Sequence, residues 1–224
     1  MKLIDKYRPK SFEDVSGQEK AISGIHRIME LEGEQGQAWY ITGPTGTGKT
    51  TIARILASRI ATDCCIFEHN AADITIEAVR NISSVVGSPS LFGGRAWIIN
   101  EAHLLSGRIV SALLDVLERV TESEQDIIVF TTTWDGNDLF AEKFDGLAFA
   151  GRCNMVSLTS RGFSPAIKQR LEHIAQAEGI TATPEDIDKI LKDLGKDKNR
   201  SASSMRDAIQ ALIQLETQRL SAVA

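Results

Sequence analysis

The chain has 224 residues, 42% of them apolar and 25% charged, with a net charge of −5 at pH 7. That length holds one full core and a smaller second unit, the composition is ordinary for a soluble cytosolic protein, and three cysteines are too few for a disulfide scaffold. No apolar run approaches the ~20 residues of a membrane helix, no signal-peptide stretch follows Met1, and the acidic balance excludes binding nucleic acid through an overall positive field.

In chain order, Ala21, Ile22, Ile25, Ile28 and Met29 have helical spacing, closed by Gly33 and Gly36. The run Ala38-Trp39-Tyr40-Ile41 reads as a buried strand. It is followed by Gly43-Pro44-Thr45-Gly46-Thr47-Gly48-Lys49-Thr50, a complete G-x-x-x-x-G-K-T phosphate loop, and then by a helix over Thr50–Ala57. The glycines let backbone N–H groups cradle phosphates, Lys49 reaches the β and γ phosphates, and the Thr50 hydroxyl completes a magnesium shell. The helix start places its positive end toward the same anion. Residues Gly43 through Thr51 are the candidate nucleotide-binding set.

A short strand is expected at Cys65-Ile66-Phe67, a helix from about Thr75 to Val86, and a glycine-rich loop from Val86 to Gly94. Ala96-Trp97-Ile98-Ile99 is a strand, Gly107–Arg119 a helix with Ile109, Leu113, Leu114 and Leu117 on one face, and Ile127–Phe130 another strand. Strands alternating with helices imply a parallel sheet covered on both faces. After Met155–Leu158 only helical stretches remain, over Pro165–Glu178, Pro184–Leu194 and Ser203 to about Leu220, with a polar connector at Gly195–Ser201. A boundary near residue 159 divides an α/β domain, residues 1–158, from a small all-helical one, residues 159–224. Cys64, Cys65 and Cys153 lack zinc-ligand spacing, so buried or half-buried thiols in a reducing compartment are expected.

Trp97-Ile98-Ile99-Asn100-Glu101-Ala102-His103 has the form of a Walker B element, an apolar strand ending in polar residues at the edge where α/β sheets hold ligands. Glu101 is placed to polarise an attacking water, as general-base work requires.

Lys6-Tyr7-Arg8-Pro9-Lys10-Ser11-Phe12-Glu13-Asp14-Val15-Ser16-Gly17-Gln18-Glu19 resembles the N-terminal box of AAA+ clamp-loader ATPases, the replication factor C small subunits and bacterial gamma-type subunits. The resemblance continues in order through Phe67–Asp73, Asn100–Ser106, Thr131-Thr132-Thr133, Gly151-Arg152-Cys153 and Ser204–Ile209. It implies a P-loop NTPase αβα core with a three-helix lid, ATP and Mg2+ as cofactors, and an adenine wrapped by the segment holding Tyr7, Arg8, Pro9 and Val15. It further implies sensor 1 at Thr133 or Thr132, a sensor 2 arginine at Arg206, and an arginine at Arg152 that reaches a neighbouring subunit's ATP. An arginine there can stabilise charge developing on the transferring phosphoryl group. The implied partners are a sliding clamp, other loader subunits and primer–template DNA, with Arg80 as a DNA-backbone contact, in a cytoplasmic setting without a membrane partner.

Three positions depart from the family pattern. Asn100 stands where aspartate is usual, so magnesium, held by Thr50 and Asn100, meets an amide without charge; weakened magnesium handling and slow hydrolysis with ATP binding retained are expected. Gly151 replaces the usual serine, and the segment from Trp134 to Ala150 is longer than the family's connection. The residues stop where the sensor 2 domain stops, without the collar that holds the pentamer, so an isolated monomer is expected. Two other readings stay open: a nucleotide-binding stator with impaired hydrolysis, and a recombination or branch-migration AAA+ motor.

Overall fold

β-branched and aromatic residues concentrate in the runs that become strands, because such side chains fill a pleated, two-sided interior. The structure is a computed structural model that describes residues 2–133, 145–160, 163–196 and 204–223. The long stretch after Thr133, up to residue 144, and the connector at 197–203 lie outside the described residues. Two units are separable, one of Lys20–Gly43 and Lys49–Leu158, the other of Met1–Glu19, Pro44–Gly48 and Thr159–Ala224.

The first unit carries the sheet. In chain order it holds helix α2 (Glu19–Glu32, from Lys20 onward), β1 (Gln37–Thr42), α3 (Lys49–Ile60), β2 (Ile66–Asn70), α4 (Ile76–Val85), β3 (Arg95–Asn100), α5 (Gly107–Glu122), β4 (Asp126–Thr132), α6 (Gly146–Ala150) and β5 (Asn154–Ser157). The strands run in the order β2-β3-β4-β1-β5, and every pair is parallel. Side chains alternate across a strand. Ala38 and Tyr40 of β1 therefore join Trp97, Ile99, Ile128 and Phe130 in a core closed by α4 and α5. Trp39 and Ile41, equally buried, point to the opposite face, where α3 packs on β1, β3 and β4. Phe149 of α6 caps the first face edge-on, its ring 4.8 Å from that of Phe130 and 6.2 Å from that of Tyr40.

Two readings of the sequence need correction. The strand expected at Cys65–Phe67 starts one residue later and runs to Asn70, because β2 is an edge strand whose residues past Phe67 are exposed and polar, which hides the usual apolar signal. Cys64 is exposed rather than buried or half-buried, since it lies in the short 3-10 turn before β2; Cys65 is buried and Cys153 intermediate.

The second unit holds α1 (Leu3–Lys6), α7 (Phe163–Glu178), α8 (Pro184–Lys196) and α9 (Met205–Val223). Ile167, Leu171, Ile174, Ile187, Ile209 and Leu212 form its core, and Leu3, Ile4 and Tyr7 pack against it. That apolar contact explains why the N-terminal residues group with the C-terminal helices. No described helix is long and apolar enough to cross a membrane.

At the amino ends of β3 and β4, register partners Arg95 and Asp126 form a buried ion pair, with Asp126 0% exposed. Asp126 accepts from Arg95 Nε at 2.8 Å, Ser123 Oγ at 2.9 Å and the Gly87 amide at 2.7 Å, while Arg95 Nη2 donates to Ser88 O at 2.6 Å. The pair thus fastens the base of the glycine-rich loop. Asp126→Ala leaves a buried guanidinium uncompensated and is expected to cost about 3–5 kcal/mol, read as a lowered urea midpoint.

Candidate nucleotide site

Parallel strands deliver their carboxyl ends to one edge, the edge at which open α/β sheets hold ligands. In the sheet unit β1 leaves through Thr42 into Gly43. A Cβ on Gly43 would lie 2.8 Å from Leu158 O, and its φ is +148°, so only glycine fits this exit. Lys49, at the start of α3, is 8% exposed and donates from Nζ to Gly43 O at 2.8 Å. The next residue, Thr50, donates its hydroxyl to Asn100 Oδ1 at 3.1 Å, and Thr131 of β4 donates to the same oxygen at 2.8 Å. Asn100 Nδ2 donates to Glu68 Oε1 at 2.8 Å. Strand order therefore gathers Thr50, Asn100 and Thr131, and a residue of β2 joins them.

Glu101 follows directly, with φ 55° and ψ 45°. A non-glycine residue in this left-handed region is uncommon and is held there by its surroundings, often at functional positions. Its carboxylate is 41% exposed and lies 3.5 Å from His103 Nδ1, which is in turn 3.1 Å from Thr132 Oγ1. Thr133 lies just beyond the end of β4. Of the three threonines at this strand end, Thr131 and Thr132 make the hydrogen bonds described.

Thr50 Oγ1 and Asn100 Oδ1 are neutral oxygen donors. They suit a hard cation such as magnesium, which keeps most of its water and takes few protein ligands. Among the described residues no cluster of three or more His, Cys, Asp or Glu could hold a metal by itself.

Arg152 follows α6; its guanidinium donates to Ala148 O at 2.9 Å and pairs with the Glu118 carboxylate on α5. Arg80 is exposed on α4. The carboxyl of nearby Glu77 is held below its usual range by hydrogen bonds from its own amide and from Thr75, with further help from Arg80 and Arg108. An open acidic groove lined by Glu32, Glu34, Glu122 and Glu124 lies at the amino ends of β1 and β4, away from these residues.

In the helical unit, Pro44 and Thr45 are exposed, while Thr47 is 1% exposed and donates to Pro44 O at 2.8 Å. Gln18, 2% exposed, holds the loop: Nε2 donates to Thr47 O at 3.3 Å and to Thr159 O at 2.9 Å, and Oε1 accepts from the Thr159 amide at 3.2 Å. Gly46 and Gly48 have φ of +82° and +100°. The Met205 amide donates to Gly46 O at 3.4 Å, which brings the start of α9 to the loop. Arg206, one residue on, is exposed.

The N-terminal segment is anchored through Glu178, which accepts from Lys6 Nζ and Tyr7 Oη, each at 2.5 Å. Those two bonds hold the Glu178 carboxyl below its usual range and push the Tyr7 phenol up. Arg170 donates to Tyr7 O at 2.8 Å, and Arg8 pairs with Asp5 at 2.7 Å. Pro9 leads into the short turn Phe12–Asp14, capped by Ser11 and Asp14, and Val15 closes it.

Sequence reasoning singled out neither Gln18, Ser204, Thr131 nor Glu68 as site residues. Only a buried glutamine in the N-terminal box, or a lone acid on an edge strand, could have signalled the first and last.

The model of the ATPase family associated with various cellular activities (AAA) matches residues 39–158, more than half of the chain. The chain belongs to this family. Among AAA relatives, it is 28% identical over 249 aligned residues to the tau subunit of DNA polymerase III of Escherichia coli, covering 99% of this chain and 36% of that protein. It is 29% identical over 220 residues to replication factor C subunit 3 of Blastobotrys adeninivorans, covering 93% of this chain and 58% of the relative. The chain thus spans less than two thirds of the length of either. A point mutant of Thermotoga maritima RuvB has the same fold, with a TM-score of 0.61 at 19% identity over 94% of this chain and 73% of that one.

Gly46→Ala tests the loop. The added Cβ would lie 2.2 Å from Ser204 Oγ and 2.7 Å from Ser204 Cα. A left-handed alanine costs about 1–2 kcal/mol besides. Binding of a fluorescent ATP analogue should weaken, and adding Ser204→Ala should not restore it, because the clash reaches the backbone.

Proposed function

We propose that this chain is the ATP-binding and ATP-hydrolysing part of a DNA sliding-clamp loader. Its partners would be other loader subunits, a ring-shaped clamp and primer–template DNA. The observation that carries the reading is the convergence of Thr50, Asn100 and Thr131 beside Lys49 and Glu101, in a chain whose relatives include DNA polymerase III gamma and tau subunits and replication factor C subunits. Residues 1–158 would serve as the AAA+ ATPase domain and residues 159–224 as the sensor 2 lid.

Residues 43–51 would take the phosphates of ATP, with Lys49 neutralising the β and γ groups. Tyr7, Arg8, Pro9 and Val15 would enclose the adenine. Thr50 and Asn100 would hold Mg2+, which when bound neutralises phosphate charge. Glu101 would accept a proton from the attacking water as general base. Thr133, or its neighbours at the same strand end, would sense the γ phosphate, and Arg206 would touch it. Arg152 would act on the ATP of a neighbouring subunit after exchanging its Glu118 partner. ATP contacts made in one assembly state and not in the other would supply the differential affinity that drives clamp opening. Arg80, exposed on α4, is proposed as a contact to the DNA backbone.

The stator reading draws on Asn100. The relatives favour the loader, and likeness to RuvB carries the fold alone. ATP turnover separates the readings: it should rise with primed DNA and rise again with a clamp, and Lys49→Ala should abolish it. Turnover indifferent to DNA and clamp would overturn the loader assignment.

A further inference from the structure

Glu68 lies on β2, two residues before Asn70, whose register partner on β3 is Asn100. Its carboxylate has two separate partners: Oε1 accepts from Asn100 Nδ2 at 2.8 Å and Oε2 from Arg54 Nε at 2.8 Å. On the other side of the Asn100 carboxamide stand two hydroxyls, those of Thr50 and Thr131.

The three partners of Asn100 are not equivalent in what they specify. A hydroxyl both donates and accepts, so Thr50 and Thr131 would satisfy either end of a carboxamide. An ionised carboxylate only accepts, so Glu68 admits the amide nitrogen and refuses the oxygen. Glu68 alone therefore decides which way Asn100 faces. Turned over, the carboxamide would present N–H groups to Thr50, and the positive end of that dipole repels a cation. Held as it is, the oxygen faces the hydroxyl at the start of α3. The charge balance points the same way, because asparagine brings no negative charge to this strand end and Glu68 brings one, 2.8 Å away through a polarised amide.

We propose that Glu68 is a positioning residue for magnesium: it fixes the Asn100 oxygen toward Thr50 and supplies, from the neighbouring strand, the negative charge that Asn100 lacks. The proposal rests on the ATP–magnesium reading of this site. It makes Glu68 and Asn100 a reciprocal pair. Asn100→Asp alone sets two carboxylates against each other. Glu68→Gln with Asn100→Asp moves the charge to β3 and restores a donor–acceptor bond in the opposite sense.

The test is binding of a fluorescent ATP analogue as magnesium is titrated, with a parallel series in chelator. Glu68→Gln should raise the magnesium concentration for half-maximal effect about tenfold or more, the usual consequence of losing a partner that orients a ligand. Its affinity for nucleotide in chelator should stay at the wild-type value, which also reports an intact fold. Asn100→Asp alone should not improve on wild type, and the double variant should recover the wild-type magnesium dependence, a coupling that independent sites do not give. Arg54→Gln breaks the ion pair but leaves the Asn100 bond and the Glu68 charge, so its magnesium dependence should be no weaker than that of wild type. An unaltered magnesium dependence in Glu68→Gln, additive effects in the double variant, or an equal loss in Arg54→Gln would each overturn the proposal. A wild-type chain that binds no nucleotide, with or without magnesium, would instead overturn the ATP reading beneath it.

Discussion

Parallel registration of β3, β4 and β1 is the constraint on which the rest of the sheet unit depends. It brings the last residues of three strands to one edge, so that Asn100 meets both Thr131 from the next strand and Thr50 from the helix that follows β1. Side chains alternate with a period of two, and a slip of one residue between β3 and β4 would send Thr131 to the far face and empty the arrangement. Near-complete burial of Trp39–Ile41, Trp97–Ile99 and Ile127–Phe130 makes such a slip costly, because every apolar side chain would change faces with it.

The two ends of the same strands divide the work. At the amino ends, Arg95 and Asp126 are buried, mutually satisfied and closed by backbone and serine partners, an arrangement that is costly to break from one side. At the carboxyl ends the polar groups remain partly open. Glu101 holds a left-handed backbone and an exposed carboxylate, and Asn100 is oriented by a charged neighbour rather than carrying charge itself. Conformational strain and polar groups near solvent are tolerated there because the packed layers on either side leave the backbone no cheaper path.

In the helical unit, a short N-terminal segment that could not fold alone is held by contacts of two kinds. Leu3, Ile4 and Tyr7 lie on the apolar core, and Glu178 and Arg170 fix the polar groups of Lys6 and Tyr7. Gln18 then does for the loop at Thr47 what backbone pairing does within a sheet: it satisfies two carbonyls and an amide at once.

What the sequence by itself determined was everything encoded in local pattern. The phosphate loop was legible from its spacing, the strands from continuous apolar runs, the helices from their periodicity, and the Walker B element from its place after a buried strand. The departure at Asn100 was legible too, as an amide where a charge is usual. Tertiary structure alone decided what completes these parts. Thr131 rather than Thr133 bonds Asn100, because strand register chooses the residue and three adjacent threonines read alike. Glu68 bonds Asn100 although 32 residues separate them, and Gln18 reaches Thr159 across 141. Such pairings follow from strand order and burial, which no window of sequence contains, since a polar side chain looks solvated until the elements that cover it are in place.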